Sequence, residues 1–478
     1  MTSSSLTYTI KKGTGMEDAS ITQSHAATIQ KSIVKPDARD LRRAAWVCSL
    51  GSALEYYDFA LYSLASALIF GPLFFPNQAA GMALIASFGT YFLGFAVRPL
   101  GGILFGSLGD RLGRKFVLLT TVALMGVAST AIGLIPTFSQ IGYWAPGLLV
   151  FLRLLQGLGA GAEQAGAAVL MTEYAPSSQR GFYASLPFLG IQIGTILAAV
   201  VYFVLLMGVS DITQTGLWRV PFLASAIILG VAIYMRVSLK ESPSFTKLEK
   251  AHKTTEAPLR NLLKTSRRTV LLGIGLRLAE NGASSIYQAL AVSYIVTVTG
   301  LQSSIGALSL VVAAMLGALI VPLAGYLSDL YGRVAVYRGF AVLQVLIAFP
   351  CWWVFSLGHV VPTIIAFTIA LGCATWGMFG AQAAFLPELF GAQHRYIGVS
   401  VTREVSSVLA GGLAPLIGSA IINLVVQNNA GASQPGLLAW IPLAGYVVLL
   451  SIGTIVATFF LPEPRGRDLD DIRDAINQ

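Results

Sequence analysis

The sequence predicts an all-α polytopic membrane protein: twelve transmembrane helices in two six-helix pseudo-symmetric bundles. Three observations carry this. The 478 residues are 55% hydrophobic and only 11% charged, with a mean hydropathy of +0.72. A soluble domain carries nearer a quarter charged residues, so much of this surface faces lipid. Apolar stretches of spanning length fall at 43–70, 79–107, 116–136, 145–173, 181–208, 217–239, 269–299, 303–328, 334–357, 361–387, 396–426 and 437–461. They are continuously apolar and not alternating, which argues against a β-barrel. Lastly, a turn carrying Gly106, Asp110, Gly113 and Arg114 recurs as Gly325, Asp329, Gly332 and Arg333, about half the chain later. Repeated halves built of apolar helices are a mark of secondary transporters.

The divisions follow in order. Residues 1–42 form a Ser/Thr/Lys-rich tail, expected to be disordered, without an apolar leader. The N-terminal bundle takes 43–239, a polar linker 240–268, the C-terminal bundle 269–461, and a second tail 462–478. Of the 31 Lys and Arg, Arg98, Arg153, Arg277 and Arg403 lie inside spans, and Arg219 sits at the outer edge of the sixth. The others fall on the tails and on alternate loops, so both termini are expected in the cytoplasm of a cell with this protein in its inner or plasma membrane. The net charge of +9 is thus a topology signal and not a nucleic-acid footprint. Cys48, Cys351 and Cys373 are isolated, the four His form no cluster, and no phosphate-binding loop, zinc spacing or nucleophile motif occurs. No metal, no cofactor and no enzymatic activity are expected. The partners expected are a small-molecule substrate, protons and lipid, with the chain acting as a monomer.

The repeated turn has two readings. Asp110, Arg111, Arg114, Asp329 and Arg333 either only set orientation, or form a cytoplasmic gate of ion pairs that make and break during transport. A second repeat favours the gate: Glu173 and Arg180 are seven residues apart, as are Glu388 and Arg395. Glu241 and Glu463 follow the sixth and twelfth spans in similar Pro-containing contexts. Exposed ion pairs contribute only about 0–1 kcal/mol each, which suits contacts that must break.

Charges inside the spans carry the transport chemistry, because an ion at the bilayer centre costs at least ~2.5–3.5 kcal/mol unless it faces a cavity or a partner. Glu55 and Asp58 share a face of the first helix and suit proton carriage, with static pairing to Arg98 or Arg153 as the alternative. Arg153, with Gln156 on its face, is the expected coupling partner, and Glu163 a second proton candidate. Arg98 is either a packed arginine or a substrate contact. Arg277 with Glu280, and Arg403 with Glu404, are expected to pair across helices, Arg277 to Glu404 or Glu280 to Arg403. Arg98, Tyr56, Gln156, Gln192, Arg277, Glu280, Gln288, Arg403 and Glu404 are expected at the substrate, in a cavity filled out by Tyr57, Tyr62, Tyr91, Tyr287, Tyr294, Trp376 and Gln382. Acid and base nearly balance within the spans, so freeing an arginine for an anion requires protonating a carboxylate.

The 106–115 turn and the run from Arg153 through Gln156, Gly157, Gly159 and Gly161 resemble signatures of the major facilitator superfamily. Glu55 to Phe59, Arg98 to Gly102, Trp144 with Pro146, Glu173 to Pro176, and Glu241 with Pro243 are similar to its metabolite–proton symporter branch. The chain departs from that branch at Ala162 to Gln164, where a Gly-Glu-aromatic run is usual. The resemblance implies alternating-access, proton-coupled uptake of a small organic acid, such as shikimate, a dicarboxylate or an aromatic acid. A proline or betaine symporter is the alternative. An efflux antiporter fits less well, since 181–208 lacks the motif of drug antiporters, and a sensor less again, since the tails are too short for a signalling domain.

Overall fold

The computed structural model describes residues 38–112, 114–161, 164–209, 212–238, 258–429, 431 and 434–477. Glu163, Glu241, the first tail up to residue 37 and most of the linker lie outside them, as do the side chains of Asp110, Arg111 and Arg114, while residues 38–42 of that tail are helical.

We number the membrane rods α1 to α12. They are α1 Ala38–Leu68, α2 Ala80–Ala96 with Arg98–Leu112, α3 Arg114–Ile132, α4 Trp144–Ala160 with Gln164–Tyr174, α5 Arg180–Gly208 and α6 Arg219–Ser238. The second half repeats the plan. It comprises α7 Arg267–Leu276 with Leu278–Ser285 and Val292–Thr297, α8 Ser303–Tyr331, α9 Arg333–Ser356, α10 Val360–Phe367 with Trp376–Leu389, α11 Arg395–Ser406 with Leu413–Asn428, and α12 Trp440–Phe459. Eight of these rods are both long and apolar enough to cross a bilayer on composition alone, and α3 and α6 hold shorter apolar runs. The remaining two, α1 and α7, open the two halves and carry Glu55, Asp58, Arg277 and Glu280. Their polarity is turned inward: all four side chains are buried.

Three rods of the second half are interrupted by wider π-helical stretches: Ile286–Ala291 in α7, Thr368–Thr375 in α10 and Ser407–Gly412 in α11. Such insertions rotate the residues beyond them and recur at functional sites. Within the first half α5 packs against α1. The halves meet where α5 packs along α8, and again where α2 packs on α11. The α5–α8 contact is close because Gly181 faces Gly325: a Cβ on either would run into the other's carbonyl oxygen. Gly325 is the first residue of the repeated turn. Its third position, Gly332, has φ +99°, a conformation that favours glycine, and the Glu463 carboxylate packs where its Cβ would be.

Candidate functional site

Between the halves lies a cavity with about 470 Å³ of empty space. Its wall is aromatic on one side, with Tyr56, Phe59, Tyr91 and Phe95, and hydroxyl- and amide-bearing on the other, with Asn281, Ser284, Ser285, Gln288 and Ser407. One arginine comes from each half, Arg98 and Arg277. Tyr91 Oη and Ser285 Oγ stand 3.4 Å apart across the space, and Gln288 donates to Ser284 at 2.6 Å. A space walled by aromatic rings on one side and by hydroxyl, amide and guanidinium groups on the other suits a small polar organic ligand.

Arg98 is held by carboxylates of both halves. Its Nη2 lies 3.1 Å from Glu55 on α1, and its Nε 2.9 Å from Glu404 on α11. All three side chains are buried. Arg277 pairs with Glu280 one turn on, at 2.9 Å, and donates to Ser406 Oγ and to the Arg403 carbonyl at 3.0 Å each. Tyr337 of α9 donates to the Leu276 carbonyl at 2.7 Å and lies 3.2 Å from the second oxygen of Glu280. Of the expected cross-pairs, Arg277 to Glu404 is not what forms: the ion pair of Arg277 is with Glu280 on its own helix, and Glu404 goes to Arg98. Arg277 and Glu280 stand three residues apart, which places them on one helical face, and position 277 itself ends one helical segment at φ −90°, ψ 0°.

Arg153 is the least satisfied of these cations. It is 1% exposed and bonds Gln156, but its Nε and Nη2 make no hydrogen bond among the described residues. It stacks instead on Tyr62 at 3.9 Å, Phe59 at 5.2 Å and Tyr91 at 5.4 Å. Phe59 also sits 4.9 Å from Arg98, so one ring lies within cation–π reach of two guanidinium groups. Asp58 accepts from Ser225 of α6 at 2.8 Å. Ser129 joins it to Gln156, whose Nε2 donates to the Ser129 hydroxyl at 2.7 Å.

Of the residues expected at a substrate, Arg98, Tyr56, Arg277 and Gln288 line the cavity, and Glu280 and Glu404 stand behind its arginines. Gln156 faces Arg153 instead. Arg403 is buried against Phe188, 5.1 Å from the ring. Gln192 is fully buried beside Gly317, and its amide, that of Gln382 and the Trp376 indole N–H make no hydrogen bond among the described residues. Tyr57, Tyr62, Tyr287 and Tyr294 each spend their hydroxyl on a neighbouring helix or loop. Ser225, Ser129, Ser406, Asn281 and Tyr337 escaped notice in the sequence. The signal available was a polar residue in an apolar span near a charge, as with Asn281 beside Glu280.

At the end of the molecule that carries the basic loops, the two repeats interlock in crossed fashion. Arg395 of the second half pairs with Glu173 of the first at 2.8 Å, and Arg180 of the first lies 3.8 Å from Glu388 of the second. Glu388 also holds Arg333 at 2.9 Å, and Arg333 holds Asp329 at 2.7 Å. Asp329 then accepts the backbone N–H groups of Gly181 and Phe182, at 2.8 and 2.9 Å, at the start of α5. The C-terminal segment threads through this cluster. Glu463 caps α9 through the N–H groups of Arg333 and Val334 at 2.8 and 2.9 Å. The Arg467 carbonyl accepts from Arg180 at 2.6 Å, and the Leu469 carbonyl from Arg395. Asp474 accepts from Gly391 N and Thr269 Oγ1 at 3.0 and 2.6 Å. Burial of the Arg467 guanidinium, beside Arg395 and Arg473, holds its pKa below the usual arginine value.

Two helical bundles around a cavity that carries polar and charged groups, with an ion-pair cluster at one end, are the architecture of a multi-pass transporter. Residues 48–415 match the Major Facilitator Superfamily, and the chain belongs to that family. It is 36% identical over 391 residues to the shikimate transporter of Escherichia coli (strain K12), covering 81% of this chain and 89% of that one. It is 31% identical over 448 residues to the proline/betaine transporter of the same strain, covering 91% and 86%. In three dimensions it superposes on the D-xylose–proton symporter with a TM-score of 0.67 at 19% identity, covering 89% of this chain and 99% of that one, which is a likeness of fold.

Proposed function

We propose that this transporter is a proton-coupled symporter that carries a small organic acid into the cell, of the shikimate, dicarboxylate or aromatic-acid kind. The observation that carries this reading is Arg98. It lines the cavity while bound by one carboxylate from each half, Glu55 and Glu404. Protonating either carboxylate releases positive charge toward the cavity, and an anionic cargo restores neutrality. A buried ion left without its partner costs about 3–5 kcal/mol, so loading proton and anion together is strongly favoured over loading either alone. Glu55, Asp58 and Arg153 are the proton-coupling group in this reading, and Glu163 a further candidate. Arg98, Tyr56, Arg277 and Gln288 would contact cargo, with Gln156, Gln192, Glu280, Arg403 and Glu404 supporting them. The relative named a shikimate transporter supports an acidic cargo.

The crossed pairs among Glu173, Arg180, Asp329, Arg333, Glu388 and Arg395 are the gate, to which the turn at Asp110, Arg111 and Arg114 would contribute. By the distribution of Lys and Arg, that end and both termini face the cytoplasm. The domain division at 43–239 and 269–461 then corresponds to two bodies rocking about the cavity. The deciding experiment is uptake of labelled shikimate, dicarboxylates, aromatic acids, proline and betaine into proteoliposomes, with and without an inward-acid pH gradient. Accumulation of an acid that collapses with the gradient is expected. Gradient-independent accumulation removes the symport reading, and uptake of proline or betaine alone moves the protein to the osmolyte class.

A further inference from the structure

The two arginines of the central cavity are not equivalent. All five N–H donors of Arg277 are engaged within the protein. Nε and Nη2 donate to one oxygen of Glu280 at 3.1 and 2.9 Å, and Nη2 again to Asn281 Oδ1 at 3.4 Å. Nη1 donates to the Arg403 carbonyl and to Ser406 Oγ at 3.0 Å each. Arg98 gives Nε to Glu404 and Nη2 to Glu55 and the Ala160 carbonyl, while its Nη1 makes no hydrogen bond among the described residues. A cargo carboxylate thus finds N–H donors on one guanidinium and not on two.

The walls discriminate further. Phe59, Phe95 and Tyr91 form a continuous surface, with ring centroids 5.2 Å apart for the first pair and 5.0 Å for the second. Each ring already lies near a fixed cation: Arg98 is 4.9 Å from Phe59 and 5.6 Å from Phe95, and Arg153 is 5.4 Å from Tyr91. A quaternary ammonium placed on this wall would meet like charge, so the rings suit the uncharged face of a cyclic cargo. On the other side, Gln288 donates to Ser284, and no described residue donates to its carbonyl oxygen. Ser285 Oγ meets only the Tyr91 hydroxyl among the described residues, at 3.4 Å, longer than an ordinary O–H···O bond.

We infer that the cargo is a hydroxylated ring acid with a single carboxylate. The carboxylate takes Arg98 Nη1, the ring lies on the aromatic wall, and ring hydroxyls bond Ser285, Tyr91 and Gln288. This rests on the acid-symport reading above and narrows its cargo. A dicarboxylate would leave its second charge without a donor, because the N–H groups of Arg277 are all engaged. A betaine would set its ammonium beside Arg98 and leave the hydroxyl wall unpaired. A ring acid without hydroxyls would leave the same wall unpaired, which costs more than the hydrogen bonds themselves contribute.

The test is calorimetric binding to the full chain in detergent at mildly acid pH. The probes are shikimate, cyclohexenecarboxylate (the same ring acid without its hydroxyls), succinate and betaine. Shikimate is expected to bind about tenfold or more tightly than each of the others. Another probe binding as tightly as shikimate, or no binding of shikimate, overturns the inference. Ser285→Ala and Tyr91→Phe should each weaken shikimate about tenfold and leave cyclohexenecarboxylate unchanged, which also shows that the variants are folded. Equal weakening of both ligands, or undiminished shikimate binding, overturns the hydroxyl subsite. Uptake into proteoliposomes separates the two readings. Gradient-driven accumulation of succinate in place of shikimate overturns this inference and leaves acid symport intact, whereas shikimate accumulation indifferent to the gradient overturns symport and leaves the cargo class standing.

Discussion

Replacing Asp329 by asparagine isolates the gate. The Asp329 carboxylate accepts two backbone N–H groups from α5 of the opposite half, at 2.8 and 2.9 Å, and pairs with Arg333 at 2.7 Å. Hydrogen bonds to a charged group contribute about 1.5–3 kcal/mol each net of water, so the two that cross between halves stabilise the closed end by about 3–6 kcal/mol. An asparagine retains one carbonyl acceptor but loses the charge, and its amide N–H groups face donors. The expected loss is about 2–4 kcal/mol, which shifts the equilibrium toward opening at that end by roughly 30-fold to 1,000-fold. The assay is alkylation of a single Ser285→Cys in the cavity by a membrane-impermeant maleimide. Labelling should accelerate in inside-out vesicles and slow in right-side-out ones. Unchanged rates in both, or equal acceleration from both faces, would refute the argument.

Other perturbations read neighbouring parts of the molecule. Glu404→Gln removes one of the two carboxylates on Arg98 and leaves Glu55, so folding should survive while the pH dependence of uptake flattens; a pH profile matching wild type would count against the Arg98 linkage. Gly181→Val puts branched carbon into the Gly325 carbonyl, the Arg333 guanidinium and Ser328. It should hold α5 and α8 apart and reproduce the Asp329→Asn labelling pattern. Asp474→Ala frees Gly391 N and Thr269 Oγ1, two charge-assisted bonds, and should lower stability by about 2–4 kcal/mol in a detergent melt while raising protease cleavage of the C-terminal segment.

The site was partly legible in the sequence because each intramembrane charge stands out from an apolar background. Glu55, Asp58, Arg98, Arg153, Arg277, Glu280, Arg403 and Glu404 all announced themselves that way. Their partners did not. Arg277 and Glu280 stand three residues apart and could pair along α7 or reach across to α11, and only the tertiary structure shows the pair along α7. Ser225 and Ser129 are common residues in such helices, and only their approach to Asp58 distinguishes them. The Arg467 and Leu469 carbonyls are backbone atoms and carry no sequence signal.

Hydropathy and the placement of Lys and Arg are properties of the chain read locally, since lipid and water act on each segment as it comes. They therefore determined the spans, the twofold repeat and the expected orientation without reference to any contact. The spacing of Glu173 with Arg180 and Glu388 with Arg395 likewise marked a repeated junction, because repetition survives in one dimension. Tertiary structure alone decided that each repeat's arginine reaches the other repeat's glutamate. It alone decided that Arg98 touches both halves, and that the cavity is lined from α1 by Tyr56, Phe59 and Ser63 and not by its acids. Those outcomes depend on how each helix is rotated about its axis and which helix lies across from it. Close glycine contacts and register breaks set both, and neither is fixed by composition.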